Sequence, residues 1–104
     1  MCGRIAQTAK YPELVIAFKL ESGTTDVLPN YNLSPSQSIL AIRLDDKGRR
    51  SLDNLKWGFV PSWSAKLGSV RPINARAETI ASKPMFRSVY KRNRCLIPAS
   101  YFFE

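Results

Sequence analysis

Residues 38–61 read SILAIRLDDKGRRSLDNLKWGFVP, and this stretch decides the fold class. Its first seven residues are rich in the aliphatic side chains that favour a strand, and residues 45–49 (DDKGR) have the composition of a turn. A second extended run follows the turn and ends at LKWGFVP, residues 55–61. Two such runs around one turn predict a β-hairpin.

Helical and extended segments flank the hairpin. Residues 11–20 (YPELVIAFKL) place apolar side chains on one helical face, with Pro12 suited to the first turn. Residues 21–30 predict a loop, residues 74–81 and 84–92 two short helices, and residues 94–99 and 101–104 two short strands. The sequence therefore predicts a mixed α+β fold.

The chain has 104 residues, 44% of them hydrophobic and 23% charged, which predicts one soluble domain over residues 1–104. The last residues, YFFE, would leave an uncovered sheet edge, so we expect a fragment or one half of something larger. No apolar run approaches the length of about 20 residues that a membrane span needs. No signal peptide precedes Cys2 and Cys95, which predicts reduced thiols in an intracellular, non-secreted protein.

Charge is distributed unevenly along the chain. Sixteen Lys and Arg against eight Asp and Glu give a net charge of +8, and residues 64–95 hold eight of the cations against Glu78 alone. Such an excess is typical of a protein that binds a polyanion such as nucleic acid. A solvated basic surface without a partner is the alternative.

The sequence contains no histidine, which excludes Ser-His and Cys-His pairs and histidine zinc sites within these residues. Two isolated cysteines do not make a metal knuckle either, so we expect no metal and no cofactor. A general acid or base must then be a carboxylate, a lysine or an amine.

Cys2 directly follows the initiator methionine. Removal of Met1 would expose an α-amine and a thiol on adjacent carbons, a pair that traps aldehydes. The amine forms an imine, and the thiol then closes onto the imine carbon to give a thiazolidine. The alternatives are activation of the thiol for acyl chemistry and an ordinary second residue without a role.

Other polar or aromatic residues are candidates for ligand contacts. Asn74, Arg76 and Glu78 would share one face of an extended stretch and could bind an anion, or they could form a capped helix start. Trp57 is expected in the core, whereas Trp63 lies in a turn and could stack on unpaired bases. A carboxylate beside aromatics, as at Glu104, suits acid–base chemistry, although a solvated terminal residue is equally compatible.

Five segments taken in order resemble the SOS response-associated peptidase (SRAP) family of abasic-site processing proteins: MCGR (1–4), YNLSP (31–35), WGFVPSW (57–63), INARAET (73–79) and RCLIPASYFFE (94–104). The resemblance runs through all 104 residues and covers about the first half of the family's domain. It implies an α+β fold with a mainly antiparallel, barrel-like sheet and a positive groove for single-stranded DNA.

The resemblance also implies roles for individual residues. Cys2, exposed by self-removal of Met1, would crosslink abasic sites, Asn74 would orient the reacting groups and Glu104 would shuttle protons. Contacts to DNA would come from four further residues: Arg4, Arg76, Trp63 and Pro35. The family's catalytic histidine belongs to the half that these residues do not include.

Several partners and functions follow from this resemblance. We expect single-stranded DNA with abasic sites as the partner, no membrane, and either a C-terminal half or a second copy of the chain beside it. The location would be cytoplasmic and nucleoid-associated in a bacterium, or nuclear in a eukaryote. A non-catalytic single-stranded DNA-binding module and a self-processing cysteine peptidase are the alternative functions.

Overall fold

The computed structural model describes residues 2–61 and 72–103, and these fold as α+β. Two compact units divide them: one runs up to Trp57 and resumes at Cys95, and the other is Gly58–Arg94. The elements in chain order are β1 (Ile5–Gln7), α1 (Tyr11–Phe18), β2 (Ser22–Gly23), β3 (Asn30–Leu33), β4 (Ser38–Leu44), β5 (Arg50–Lys56), α2 (Arg87–Arg92) and β6 (Tyr101–Phe102). Among the described residues, neither helix is long and apolar enough to cross a membrane.

The predicted hairpin is confirmed as β4 and β5, which pair antiparallel from Ser38–Lys56 to Leu44–Arg50. Asp45 organises the turn, because its Oδ1 accepts hydrogen bonds from the backbone N–H groups of Lys47 and Arg49, both at 2.9 Å. Its Oδ2 accepts from the Ser22 hydroxyl at 2.9 Å, which ties the turn to β2. Gly48 takes φ +76° there, a conformation that glycine adopts without strain.

The first sheet contains β2, β5 and β4, with β2 parallel to β5. The close approach depends on Gly23, because a Cβ at that position would overlap the Leu52 carbonyl oxygen. Helix α1 confirms the helix predicted for residues 11–20. Its Leu14 is 3% exposed and packs in a cluster with Leu40, Ile42 and Leu52.

The second sheet contains β3, β1 and β6, all antiparallel, with Ile5 opposite both Leu33 and Phe102. Its strands β1 and β3 fall in segments for which the sequence predicted no strand. Within the described residues both sheets are open and three-stranded, so a mainly antiparallel fold is confirmed and a closed barrel is not formed.

The buried side chain of Gln7 joins the two sheets. Its Nε2 donates to the Leu40 carbonyl and its Oε1 accepts from the Leu40 N–H, each at 2.9 Å. The amide therefore pairs β1 with β4 as a short strand would. A second apolar cluster of Ile5, Leu33 and Ile39 draws on both sheets as well.

The Gly58–Arg94 unit consists of turns and α2. The helix predicted over residues 74–81 is absent from the described residues, which form turns at 77–82. Pro84 disfavours helical backbone at Lys83 and so separates this segment from α2. Helix α2 begins at Arg87, three residues later than predicted, and its Phe86 packs against Phe59 with ring centroids 5.3 Å apart.

Of the two predicted C-terminal strands, one forms as β6. The other is reduced to a single antiparallel bridge between Ile42 and Leu96, with N–H···O distances of 2.8 and 2.9 Å. Pro98 lacks an N–H donor, which disfavours continuation of the pairing with β4 beyond this bridge.

Candidate functional site

Cys2 lies three residues before the start of β1 and is half-buried. Its Sγ is 3.9 Å from the Arg4 carbonyl oxygen, to which the thiol donates. Its side chain packs against the cluster of Ile5, Leu33 and Ile39, which Trp57 also contacts. The thiol thus lies at the border between an apolar cluster and solvent.

The exposed guanidinium of Arg4 is held by a neutral group. Its Nη1 donates to Asn32 Oδ1 at 2.9 Å, and the Asn32 N–H in turn donates to Asn30 Oδ1 at 2.9 Å. A guanidinium carries five N–H donors, and a side-chain amide leaves its positive charge uncompensated. Arg4 is therefore oriented, and no carboxylate of the described residues neutralises it.

The C-terminal strand runs beside the same residues. The Phe103 N–H donates to the Arg4 carbonyl at 2.9 Å, one step beyond the Ile5–Phe102 pair. This carbonyl is also the acceptor of the Cys2 thiol. Glu104 itself lies outside the described residues, and its immediate neighbour in sequence is the residue bonded to Arg4.

Pro35 belongs to the turn between β3 and β4. The turn is bound to the end of β5, because Ser36 N–H donates to the Trp57 carbonyl at 2.8 Å and Trp57 N–H donates to the Gln37 carbonyl at 3.0 Å. Trp57 is half-buried on the apolar cluster, which confirms the core position expected for it. Cys2, Arg4 and Pro35 therefore belong to one unit.

Asn74 and Arg76 belong to the other unit, where both side chains are exposed. The Arg76 carbonyl accepts from the N–H groups of Thr79 at 3.2 Å and Ile80 at 3.0 Å, which starts the turns that follow. Trp63 lies outside the described residues. The roles predicted for these residues stay predictions.

The two units differ in whether their cations form ion pairs. In the first unit Arg43 pairs with Asp53 at 2.8 Å and Arg49 with Asp45 at 3.0 Å. The hydrogen bonds to Asp45, foremost that from the Arg49 N–H, lower the pKa of this carboxyl from 3.8 to about 2. Among the described residues of the second unit, no cation lies within ion-pair distance of a carboxylate.

Asn32 is the site residue that the sequence alone did not reveal. It lies within the YNLSP segment (31–35), one of the five segments on which the family resemblance rests. Its role depends on the pairing of β1 with β3, which brings residues 4 and 32 together from distant parts of the chain. The only sign of Asn32 in the sequence was its place next to Leu33, the buried last residue of β3.

The described residues thus define an α+β protein in which a half-buried cysteine at position 2 lies close to an exposed arginine that pairs with no carboxylate among them. The chain belongs to the SOS response associated peptidase (SRAP) family, whose sequence model matches residues 1–104.

Three relatives illustrate this membership. The chain is 40% identical to the abasic site processing protein YoaM of Bacillus subtilis and 32% identical to YedK of Escherichia coli, with all of this chain and 47% of each relative covered. It is 35% identical to the abasic site processing protein HMCES of Rattus norvegicus over 73% of this chain and 25% of the relative. The chain thus spans about half the length of its bacterial relatives.

Proposed function

We propose that this chain captures abasic sites in single-stranded DNA through a covalent bond to Cys2. The observation that carries the proposal is the Cys2 thiol at the Arg4 carbonyl, with the Arg4 guanidinium oriented by a neutral amide. Membership of the SRAP family and relatives named abasic site processing proteins support it.

The first step is removal of Met1. Water adds across the Met1–Cys2 peptide bond, which releases methionine and leaves Cys2 with a free α-amine. The step is required because an amide nitrogen does not form an imine. It also accounts for a peptidase label without any cleavage of other proteins.

The second step joins the chain to DNA. The ring-opened abasic sugar presents an aldehyde, the Cys2 amine adds to its carbon, and the adduct loses water to give an imine. The thiol sulfur then bonds to the imine carbon while its proton passes to the nitrogen. The product is a thiazolidine, and the net change is loss of one water.

Other residues assist these steps under the proposal. Glu104 transfers protons during ring opening and water loss, and Asn74 orients the amine and the sugar. Arg4 and Arg76 bind the phosphates beside the lesion, because a guanidinium matches phosphate geometry. Trp63 and Pro35 line the path of the unpaired strand.

We also propose that residues 1–104 form the N-terminal half of one domain that acts where damaged DNA is found. Relatives of about twice the length support this, as do large apolar side chains left exposed toward the C-terminus, such as Leu96 (59%) and Phe102 (61%). A second polypeptide half or a second copy of the chain would cover them. Coexpression with the second half of a relative tests which one does.

The direct test is the intact mass of the purified chain before and after incubation with single-stranded DNA that carries one abasic site. We expect loss of Met1, then a gain equal to the DNA minus one water that survives heating. Cys2→Ala should abolish the adduct. Cys95→Ser is the matched control, because Cys95 is the other free thiol and is exposed.

The outcomes separate the functions. A stable adduct in Cys2→Ala, or an adduct lost in Cys95→Ser, would contradict the proposal. If Met1 leaves and the chain binds DNA without an adduct, the chain is a non-catalytic single-stranded DNA-binding module.

A further inference from the structure

The sheet formed by β3, β1 and β6 carries a single charged side chain among the described residues. Charged residues make up 23% of the whole chain, so the segments that supply these strands are strongly depleted of them. Arg4 is the one Asp, Glu, Lys or Arg in these three segments: 2–9, 30–37 and 95–103. Its positive charge therefore stands alone on an otherwise neutral sheet.

The Arg4 guanidinium has hydrogen-bond donors that the described residues do not use. Its Nη1 donates to Asn32 Oδ1 at 2.9 Å, and a guanidinium carries five N–H groups in all. The side chain is exposed, and no carboxylate of the described residues lies within ion-pair distance of it. A phosphate can accept two parallel hydrogen bonds from such a group. The charge and the free donors favour one small anionic group as a ligand.

The Cys2 thiol lies at the same residue. Its Sγ contacts the Arg4 carbonyl oxygen at 3.9 Å, and Cys2 precedes Arg4 by two positions in the chain. The Cys2 side chain is half-buried and keeps contact with solvent. A molecule with an aldehyde and an anionic group a few bonds apart can therefore meet the thiol and the guanidinium together.

We propose that Cys2, once Met1 is removed, also captures small free aldehydes that carry a phosphate, and that this capture blocks its reaction with DNA. The inference rests on the proposed function and names a second substrate class for the same site. In glyceraldehyde 3-phosphate, the aldehyde and the phosphate are separated by the same number of bonds as the aldehyde and the 3′ phosphate of a ring-opened abasic sugar. The small compound thus offers the reacting carbon and the anion without the DNA strand.

The reaction uses both groups of Cys2. The α-amine adds to the aldehyde carbon, and the adduct loses water to give an imine. The thiol sulfur then bonds to the imine carbon while its proton passes to the nitrogen, so the net change is loss of one water. Because the amine and the thiol are both held in the thiazolidine ring, the chain cannot bond to an abasic site until water reopens the ring and releases the aldehyde.

The test compares glyceraldehyde 3-phosphate with glyceraldehyde, its neutral counterpart, on the purified chain that has lost Met1. Intact mass measures the initial rate at which a heat-stable adduct forms, with a gain equal to the aldehyde minus one water. At low salt and equal low concentrations, the phosphate compound should react about tenfold faster, the value for one charge-assisted hydrogen-bonded contact. The ratio of the two rates should fall as salt rises.

Four variants test which residues produce this preference. Arg4→Gln should bring the ratio of the two rates to about one, and Asn32→Ala should lower it, because it releases the guanidinium. Lys47→Gln is the matched control, since it removes the same charge from an exposed lysine of the same unit outside this sheet and should keep the wild-type ratio. Cys2→Ala should form no heat-stable adduct with either compound.

The block of DNA capture is measured in a second step. A chain fully modified by glyceraldehyde 3-phosphate should form no adduct with abasic single-stranded DNA, and an excess of free cysteine, which traps the released aldehyde, should restore the reaction. Equal rates for the two compounds in the wild type, an unchanged ratio in Arg4→Gln, or normal DNA capture by the fully modified chain would overturn the proposal.

Failure of this inference and failure of the proposed function give different results. A DNA adduct without any preference for the phosphate compound would refute the capture of small aldehyde phosphates and leave the covalent function intact. A preferred small adduct without any DNA adduct would refute the capture of DNA and support this inference. A chain that forms no adduct with either aldehyde or DNA would refute both.

Discussion

Arg4 Nη1 lies 2.9 Å from Asn32 Oδ1, so a neutral amide on β3 orients a charged group beside Cys2. An aspartate at position 32 would hold the guanidinium in the same place but would neutralise it. The amide therefore orients the guanidinium without neutralising its charge. Arg43, paired with Asp53 at 2.8 Å, shows the opposite arrangement within the same unit.

Asn32→Ala should weaken binding of single-stranded DNA by about threefold to tenfold, since loss of one hydrogen bond to a charged group is worth about 1 kcal/mol or more. The measurement is a DNA titration followed by anisotropy, beside the rate of adduct formation at saturating DNA. We expect the affinity to fall more than the saturated rate, because Asn32 acts through Arg4. Asn54→Ala, an exposed asparagine on β5, is the control.

The variant Asn32→Asp tests whether DNA binding depends on the orientation of the Arg4 guanidinium or on its free positive charge. The aspartate should keep the fold but lower the salt slope of binding by about 0.7, the value for one phosphate contact on a single strand. An unchanged slope in Asn32→Asp would show that Arg4 does not meet a phosphate.

Gln7→Ala should destabilise the fold strongly. The substitution leaves the N–H and the carbonyl of Leu40 without their partner inside the core, and each unsatisfied group costs about 1–3 kcal/mol. We expect a loss of about 2–5 kcal/mol in the free energy of unfolding, measured by urea denaturation. Gln37→Ala, at an exposed glutamine that caps a turn, should cost about 1 kcal/mol or less. Equal losses would mean that Gln7 does not join the sheets.

The hairpin and α1 could be predicted because their signals are local. Strand propensity in residues 38–44, turn composition in 45–49 and an apolar helical face around Leu14 each act within a few residues of the chain. The helix predicted over 74–81 was wrong: local composition favoured it, but none of its side chains is buried, so no packing stabilises a helix there.

The remaining features depend on distant pairs. Arg4 meets Asn32 and Gln7 meets Leu40 through strand pairing, which no local pattern encodes. Nothing in the sequence indicated that the polar Gln7 is buried. Its burial is favourable only because the side-chain amide exchanges two hydrogen bonds with the Leu40 backbone. The candidate Cys2 was predictable, since its chemistry follows from its place in the sequence, but its neighbours were not.

Gly23→Ala should destabilise the fold more than Gly48→Ala. Both glycines have positive φ, at +99° and +76°, so each alanine carries a strain of about 1–2 kcal/mol. Only Gly23 adds a clash, because its new Cβ would overlap the Leu52 peptide in the β2–β5 pairing, whereas Gly48 has open space. Urea denaturation of the two variants measures the difference. A Gly48→Ala variant as unstable as Gly23→Ala would contradict the close approach of β2 to β5.

Asp45 should make the fold sensitive to acid. Its pKa is lowered to about 2 in the folded state from an ordinary value of 3.8, so the unfolded chain binds more protons between these values. The stabilisation is complete above about pH 4 and is lost as the pH falls through about 2. Thermal melting of the wild type and Asp45→Asn across this range measures it, and the two melting temperatures should converge at low pH.

Asp46→Asn is the control for Asp45, because it removes the same charge one residue along the turn. Asp46 accepts none of the hydrogen bonds that Asp45 receives from Ser22, Lys47 and Arg49. At neutral pH, Asp45→Asn should therefore melt at a lower temperature than Asp46→Asn. The reverse order would refute a structural role for the Asp45 carboxylate.

Arg76 has no carboxylate partner among the described residues, whereas Arg43 is paired with Asp53. Substitution of each arginine therefore tests whether an unpaired cation matters more for DNA binding than a paired one. Arg76→Gln should lower the salt slope of single-stranded DNA binding by about 0.7 and reduce affinity at low salt by about threefold. Arg43→Gln removes the same formal charge, but its guanidinium already contacts Asp53 at 2.8 Å, so fewer counterions are available for release on DNA binding. Its slope should stay close to that of the wild type.

If both variants change the slope equally, net charge rather than the position of Arg76 determines DNA affinity, and the predicted phosphate contact of Arg76 is wrong.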